Sequence, residues 1–224
     1  QNLSRILPEI VDTFGTPFHI YDEAGICDTC DRLNTVFATL DGFREYFAVK
    51  ALPNPVVMTL LRQKGFGFDC SSVPELVMAR KVGAIGEDIM FTSNNTRTDQ
   101  FQAAMDHGGS IMNLDDLSLI QKLPKIPEKI CFRYNPGLER SGNHIIGNPV
   151  EAKYGLTRAQ LYTAYETAIQ MGVKRFGIHT MLASNELNDT YMVETADMLL
   201  NVISDLHRKL SIRFEFINIG GGLG

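Results

Sequence analysis

Cysteine is scarce in this sequence. Four residues in 224, Cys27, Cys30, Cys70 and Cys131, are too few and too scattered for a disulfide framework. Cys27 and Cys30 do form a C-x-x-C, the spacing of a redox pair or of half a zinc site. No second ligand pair stands at metal spacing, however, and the pair falls inside a helical pattern instead of at a helix start, so no metal site is expected. Long apolar runs are also missing: none reaches the roughly 18 residues of a membrane span, and the opening QNLSRILPEI lacks the basic-then-apolar layout of a signal peptide. A cytoplasmic protein with no membrane partner is the expectation. Positive charge is not in excess. A formal net charge of −5 and a pI near 5.5 provide no field to hold a phosphate backbone, which excludes nucleic acid as a partner. No solenoid repeat, no low-complexity tract and no early G-x-G-x-x-G opening a helix is found, so a dinucleotide-binding start is excluded as well.

What is present suits small-molecule chemistry on a globular scaffold, with 44% hydrophobic residues, 21% charged residues and 19 glycines. Short β-branched and aromatic runs alternate with longer amphipathic stretches, the pattern of βα units around a parallel sheet. The strands read as EYFAVK ending at Lys50, FGFD at Asp69, DIMF at Phe91, SIMN at Asn113, KICFR at Arg133, RFGIH at His179 and RFEFINI at Ile219. Between them, helical patterns run over 55–64, 73–82, 98–107, 115–123, 158–171 and 190–210. An earlier strand, PFHIY from Pro17 to Tyr21, need not belong to the same sheet. Seven such units predict a (β/α)8 barrel, which normally needs about 250 residues and an eighth strand. The chain is therefore expected to be a fragment, truncated before the barrel closes, with the Gly-rich tail INIGGGLG a poor place for a domain to finish. The stretch from Asn135 to Gly155 carries too many prolines and glycines for a helix and reads as a long binding loop.

In such barrels, functional groups gather at the carboxyl ends of the strands. Lys50, Asp69, Arg133, His179 and the Gly220–Gly222 loop all fall there. Lys50 follows the apolar YFAV, so its stem is expected to be buried and its amine to reach the mouth, where desolvation would favour the neutral, Schiff-base-forming state; the alternative is a strand-end lysine reaching solvent. Three consecutive glycines let backbone N–H groups approach a phosphate closely, or serve only as a turn. Arg133 requires an anionic partner, either a cofactor oxygen or a structural carboxylate such as Glu75 or Asp69. His179 reads either as a satisfied core group or as a catalyst.

In combination the motifs become specific: FAVKALPNP around Lys50, FDCSSVPEL over 68–76, FRYNPG over 132–137, AKYG over 152–155, GIHTMLASN over 177–185, and INIGGGLG. In that order they resemble the fold type III decarboxylases, the group of diaminopimelate, ornithine and arginine decarboxylases, whose barrel is similar to alanine racemase; the match runs from about Phe14 onwards. Within the group, FGTPFHIYD, FRYNPG and IGNPVEAKYGL are most similar to the diaminopimelate branch. The resemblance implies pyridoxal 5'-phosphate as cofactor, bonded by Lys50, with Arg133 beside its ring hydroxyl and Asp69 and Glu75 as an acidic pair supporting the lysine. It also implies that Ser184 and Gly220, Gly221 and Gly222 hold the phosphate, and that Lys153 and Tyr154 form a lysine–aromatic pair.

One departure stands out. The family pattern G-x-H-x-H-x-G-S stacks its second histidine on the cofactor; here that position is Met181, and His179 matches the first. Sulfur–aromatic contacts are favourable by roughly 0.3–1.5 kcal/mol, so Met181 is expected to pack on the ring in its place. The family's E-P-G-R segment and its cysteine loop lie downstream of this sequence, so the fragment alone is expected to be inactive. Residues 1–21 are expected to be an N-terminal segment joined to a C-terminal β-domain, and 22–224 an incomplete cofactor-binding barrel. The implied reaction is decarboxylation of meso-2,6-diaminopimelate to L-lysine, the last step of lysine biosynthesis, by a homodimer with shared active sites. Alternatives are a decarboxylase of another basic amino acid or of carboxynorspermidine, an amino-acid racemase on the same barrel, or a non-catalytic cofactor-binding homologue.

Overall fold

The structure, a computed structural model, describes residues 3–140, 148–149 and 154–222. The chain divides into two compact units, residues 1–43 and 44–224. The first holds helices α1 (Leu3–Phe14) and α2 (Glu23–Val36). Helix α1 precedes all the helical patterns read from the sequence; Pro8 stands inside it, and its apolar residues Leu3, Ile6, Leu7, Ile10, Val11 and Phe14 repeat at helical spacing. PFHIY, expected as a strand, is irregular: no neighbouring strand among the described residues pairs with it, and a lone extended segment has no ladder to satisfy its backbone. Helix α2 is capped by Asp22, whose carboxylate accepts from Gly25 N at 3.2 Å.

The second unit is a seven-stranded sheet, parallel throughout and in chain order: β1 (Tyr46–Ala48), β2 (Gly67–Cys70), β3 (Ile89–Thr92), β4 (Ile111–Leu114), β5 (Lys129–Tyr134), β6 (Arg175–Thr180) and β7 (Phe214–Asn218). Helices α3 (Pro55–Gln63), α4 (Val73–Lys81), α5 (Thr98–Met105), α6 (Arg158–Met171) and α7 (Asp189–Leu210) are the crossovers. Their starts follow local chemistry. Asn54 caps α3 through Val56 N at 2.9 Å with Pro55 in the first turn, and Thr157 with Gln160 forms a capping box on α6, which ends at Gly172 with φ 99°. The helix expected over 115–123 is instead a 3-10 turn, Leu117–Lys122. Pro124 disfavours a helical Leu123, and the six residues left are too few for a stable α-helix.

The sheet is strongly curled. Neighbouring strands stand about 4.8 Å apart, yet Asn113 on β4 reaches His179 on β6 at 3.0 Å across β5, and Asn218 on β7 reaches the Met90 sulfur on β3 at 3.4 Å. Inward residues alternate along each strand and so form layers. The middle layer is apolar: Met90, Ile111 and Cys131, with Tyr46 and Phe216 packed against them. Gly67 and Gly177 make room for those two rings, since a methyl on Gly67 would lie 2.7 Å from Tyr46 and one on Gly177 would collide with Phe216. At the amino ends, buried Lys129 is held by Glu87 at 2.6 Å and Glu215 at 2.8 Å. On the outer face, buried Tyr165 of α6 packs edge-on against Phe132, Phe176 and Phe214 and donates to Gly177 O at 2.7 Å.

Candidate active site

Parallel strands place all their carboxyl ends on one side, and the inward layer there is polar: Asp69, Thr92, Asn113, Arg133, His179 and Asn218. Lys50 and the Gly220–Gly222 loop follow β1 and β7 at that same end. The sequence-expected residues are thus brought to one end of one sheet. Thr92, Asn113, Asp115 and Asn218 belong to this group and were not singled out from the sequence; the available signal was a polar residue closing each apolar run.

The expected burial of the Lys50 stem is not observed. Strand β1 stops at Ala48 and a 3-10 turn, Val49–Ala51, follows; Val49 takes the fully buried position and Lys50 is exposed. The turn breaks the alternation on which the expectation rested. Lys50 is still close enough to Asp69 for its charge to act on that carboxyl.

Burial dominates Asp69, raising its pKa to about 6; the Thr92 hydrogen bond at 2.5 Å and the charges of Lys50 and Arg133 pull it down, while Glu75 pushes it up. Glu75, in the first turn of α4, spends its carboxylate on the preceding turn. It accepts from Ser71 N at 2.9 Å, Ser71 Oγ at 3.0 Å and Ser72 Oγ at 2.8 Å, holding the β2–α4 connection in place. Arg133 donates to Met181 O at 3.3 Å, and among the described residues it forms no ion pair with Asp69 or Glu75. Burial lowers its pKa, countered by the negative charges of Asp115 and Asp69. His179 is buried, and that burial together with Arg133 drives its pKa down to about 3, so it is neutral at physiological pH. Its Nδ1 lies 3.0 Å from Asn113 Nδ2.

The loops after β6 and β7 meet. Gly220 has φ 84°, and a methyl there would lie 2.5 Å from Thr180 O and 2.9 Å from the Met181 sulfur. Gly222 has φ 85°, and a methyl there would lie 2.6 Å from Ala183 O and 2.6 Å from Ser184 Cα. Between them, Gly221 has nothing within 4 Å of the same added atom. The outer glycines are therefore dictated by backbone and packing, while the central one faces open space. Met181 rests against this loop, and half-buried Ser184 lies beside it. Tyr154 is exposed; Lys153 lies outside the described residues.

Over residues 25–224 the chain matches the family described as pyridoxal-dependent decarboxylase, pyridoxal binding domain. The chain belongs to the pyridoxal-dependent decarboxylases. It is 40% identical over 224 residues to protein TabA of Pseudomonas amygdali pv. tabaci, covering 100% of this chain and 53% of that protein. It is 34% identical over 223 residues to a diaminopimelate decarboxylase of Methanothermobacter thermautotrophicus, covering 96% of this chain and 51% of that one. The crystal structure of diaminopimelate decarboxylase from M. jannaschii in complex with L-lysine shares the fold, with a TM-score of 0.82 at 22% identity over 96% of this chain and 53% of that one. The chain spans about half the length of the curated relatives it matches.

Pyridoxal phosphate is the cofactor of this family's domain, and the residues present fit it. The outer glycines leave no room for side chains, Gly221 is open, a half-buried cation stands at Arg133, and an accessible amine stands at Lys50 on the same side of the sheet. The described residues contain no group of histidine, cysteine and carboxylate side chains able to hold a metal ion, and no helix among them is long and apolar enough to cross a membrane.

Proposed function

We propose that the protein of which this chain is part decarboxylates meso-2,6-diaminopimelate at its D-configured carbon, giving L-lysine. The observation that carries the decarboxylase reading is the gathering of Lys50, Asp69, Arg133 and the glycine loop at the carboxyl ends of one curled parallel sheet. Diaminopimelate decarboxylases at 34% and 30% identity support the substrate. Lys50 would hold the cofactor by its aldehyde, Arg133 would stand at its ring hydroxyl, and Ser184 with Gly220, Gly221 and Gly222 would hold its phosphate. When bound, pyridoxal phosphate supplies an electron sink for the charge left when carbon dioxide departs. The chain's own residues prepare for that. Asp69, ionised above about pH 6, sets a negative charge near the Lys50 amine. Arg133 draws anionic groups into the mouth, neutral His179 adds no competing charge, and Glu75 keeps the turn beside Asp69 rigid.

A homodimer with shared sites, a cytoplasmic location and a role in lysine biosynthesis belong to the same proposal. So does the joining of residues 1–21 to a C-terminal β-domain, and so does inactivity of this chain alone. A second reading, decarboxylation of a different amino acid, is favoured by the 40% identity to TabA and by the likeness of fold to a lysine/ornithine decarboxylase of Vibrio vulnificus. Carbon dioxide release by the full-length protein across a panel of basic amino acids separates the two. Borohydride reduction of the cofactor-loaded protein followed by peptide mapping should label Lys50, and label on another lysine would overturn its role.

A further inference from the structure

The inward polar layer contains a continuous hydrogen-bonded chain. Thr92 Oγ1 donates to Asp69 Oδ1 at 2.5 Å. A hydroxyl has one proton, so towards Asn113 it accepts, and Asn113 Nδ2 makes that bond at 3.2 Å. The same Nδ2 lies 3.0 Å from His179 Nδ1; an amide nitrogen only donates, so Nδ1 accepts and the ring proton sits on Nε2. The direction of the whole chain is thus set by an ionised Asp69. Asn113 is only 2% exposed and its Oδ1 has no partner, so no competing bond holds the amide in one orientation.

We propose that Thr92 and Asn113 are positioning residues that transmit the charge state of Asp69 to the imidazole tautomer of His179. When Asp69 takes up a proton, its hydroxyl donates to Thr92 and Thr92 donates onward. The Asn113 amide turns over, so that its oxygen accepts from Thr92 and from a proton on His179 Nδ1. One proton is gained, at Asp69; the imidazole loses one from Nε2, gains one at Nδ1 and stays neutral. Nε2, the nitrogen that Asn113 does not engage, is consequently a donor when Asp69 is ionised and an acceptor when it is protonated. The groups that face Asp69 are Lys50 after β1, Glu75 on α4 and Arg133 on β5, with the Cys70 and Cys131 thiols kept protonated by burial. Arg133 also faces His179, and Asp115 faces Arg133. Burial of Asp69 sets the change near pH 6, while His179 itself stays neutral until about pH 3.

The inference rests on reading this layer as the active site, but not on the substrate. Its test is solid-state nitrogen NMR of the full-length protein labelled with 15N-histidine, with and without pyridoxal phosphate, between about pH 5 and pH 8. His179→Gln assigns the signal. The expected result is an Nε2–H tautomer at the alkaline end that converts to Nδ1–H at the acid end. Asp69→Asn and Thr92→Val should abolish the conversion, and Thr92→Ser should restore it. A single tautomer throughout, or conversion that persists in Asp69→Asn, overturns the proposal; should Thr92→Val fail to fold, the Asp69→Asn result decides. Tautomers are read without substrate, so a protein that decarboxylates nothing in the panel still tests the relay, and a His179 that never converts leaves the decarboxylase reading standing.

Discussion

Alanine substitutions along the glycine loop separate what the fold needs from what the cofactor needs. At Gly220 and Gly222 the backbone has φ 84° and 85°, a region that costs a residue with a side chain about 1–2 kcal/mol. The added methyl would also lie 2.5 Å from Thr180 O in one case and 2.6 Å from Ala183 O in the other, and overpacking of this kind typically costs about 1–3 kcal/mol. Gly220→Ala and Gly222→Ala are each expected to destabilise the protein by about 2–5 kcal/mol, a fall in Tm on the order of 4–20 °C for a unit of this size. Gly221→Ala meets no atom within 4 Å and has no positive φ, so its stability should stay within about 0.5 kcal/mol of the parent. If the open face of Gly221 receives the phosphate, however, the methyl occupies that space, and cofactor affinity should fall by about tenfold or more, equivalent to at least about 1.4 kcal/mol. Thermal unfolding of the three variants without cofactor, and titration of each with pyridoxal phosphate followed by absorbance, give both quantities. A Gly221→Ala variant as unstable as its neighbours would refute the packing argument; one that is stable and binds the cofactor normally would refute the cradle.

Asp69→Asn tests the buried carboxyl. The pKa of Asp69 in the fold, about 6, lies above its ordinary value of 3.8, so its ionised form is penalised in the native state. The contribution of Asp69 to stability should therefore rise as pH falls from about 6 towards 4 and level off below. The variant, which keeps an acceptor for Thr92, should lack that slope and gain up to about 3 kcal/mol at neutral pH; urea unfolding across the range measures it, and an unchanged slope would show that the carboxyl is ordinary. Glu215 behaves oppositely. Its hydrogen bond from Arg175, and then Lys129, pull its pKa from 4.5 to about 2, so its contribution is present above about pH 4.5 and lost as pH falls towards 2, and Glu215→Gln should flatten that acid limb of the stability curve. Tyr165→Phe removes a fully buried hydroxyl bonded to Gly177 O at 2.7 Å, and should cost about 1–2 kcal/mol in the same unfolding assay with the aromatic packing intact.

Much of the scaffold was legible locally. Each parallel strand is a short apolar run bounded by turn residues. The helices announce themselves through Asn54–Pro55, Thr157 with Gln160 and Gly172, groups that satisfy the backbone within a few residues of themselves. Departures occur where a local pattern competes with a neighbour or with its absence: PFHIY has no partner strand, and the 115–123 pattern is cut short by Pro124.

By itself, the sequence determined the order of β and α elements, the polar residues that close the strands, the glycine loop and the family to which they belong. These depend on side-chain alternation, turn chemistry and motif order, all of which act over a few residues. Only the tertiary structure decided that Lys50 rides on an exposed turn while Val49 takes the buried position, and that Glu75 spends its carboxylate on Ser71 and Ser72. It alone joined Asp69, Thr92, Asn113 and His179 into one hydrogen-bonded chain. Those outcomes follow from the curl of the sheet, which closes the distance between strands far apart in sequence, and no local pattern of residues encodes that distance.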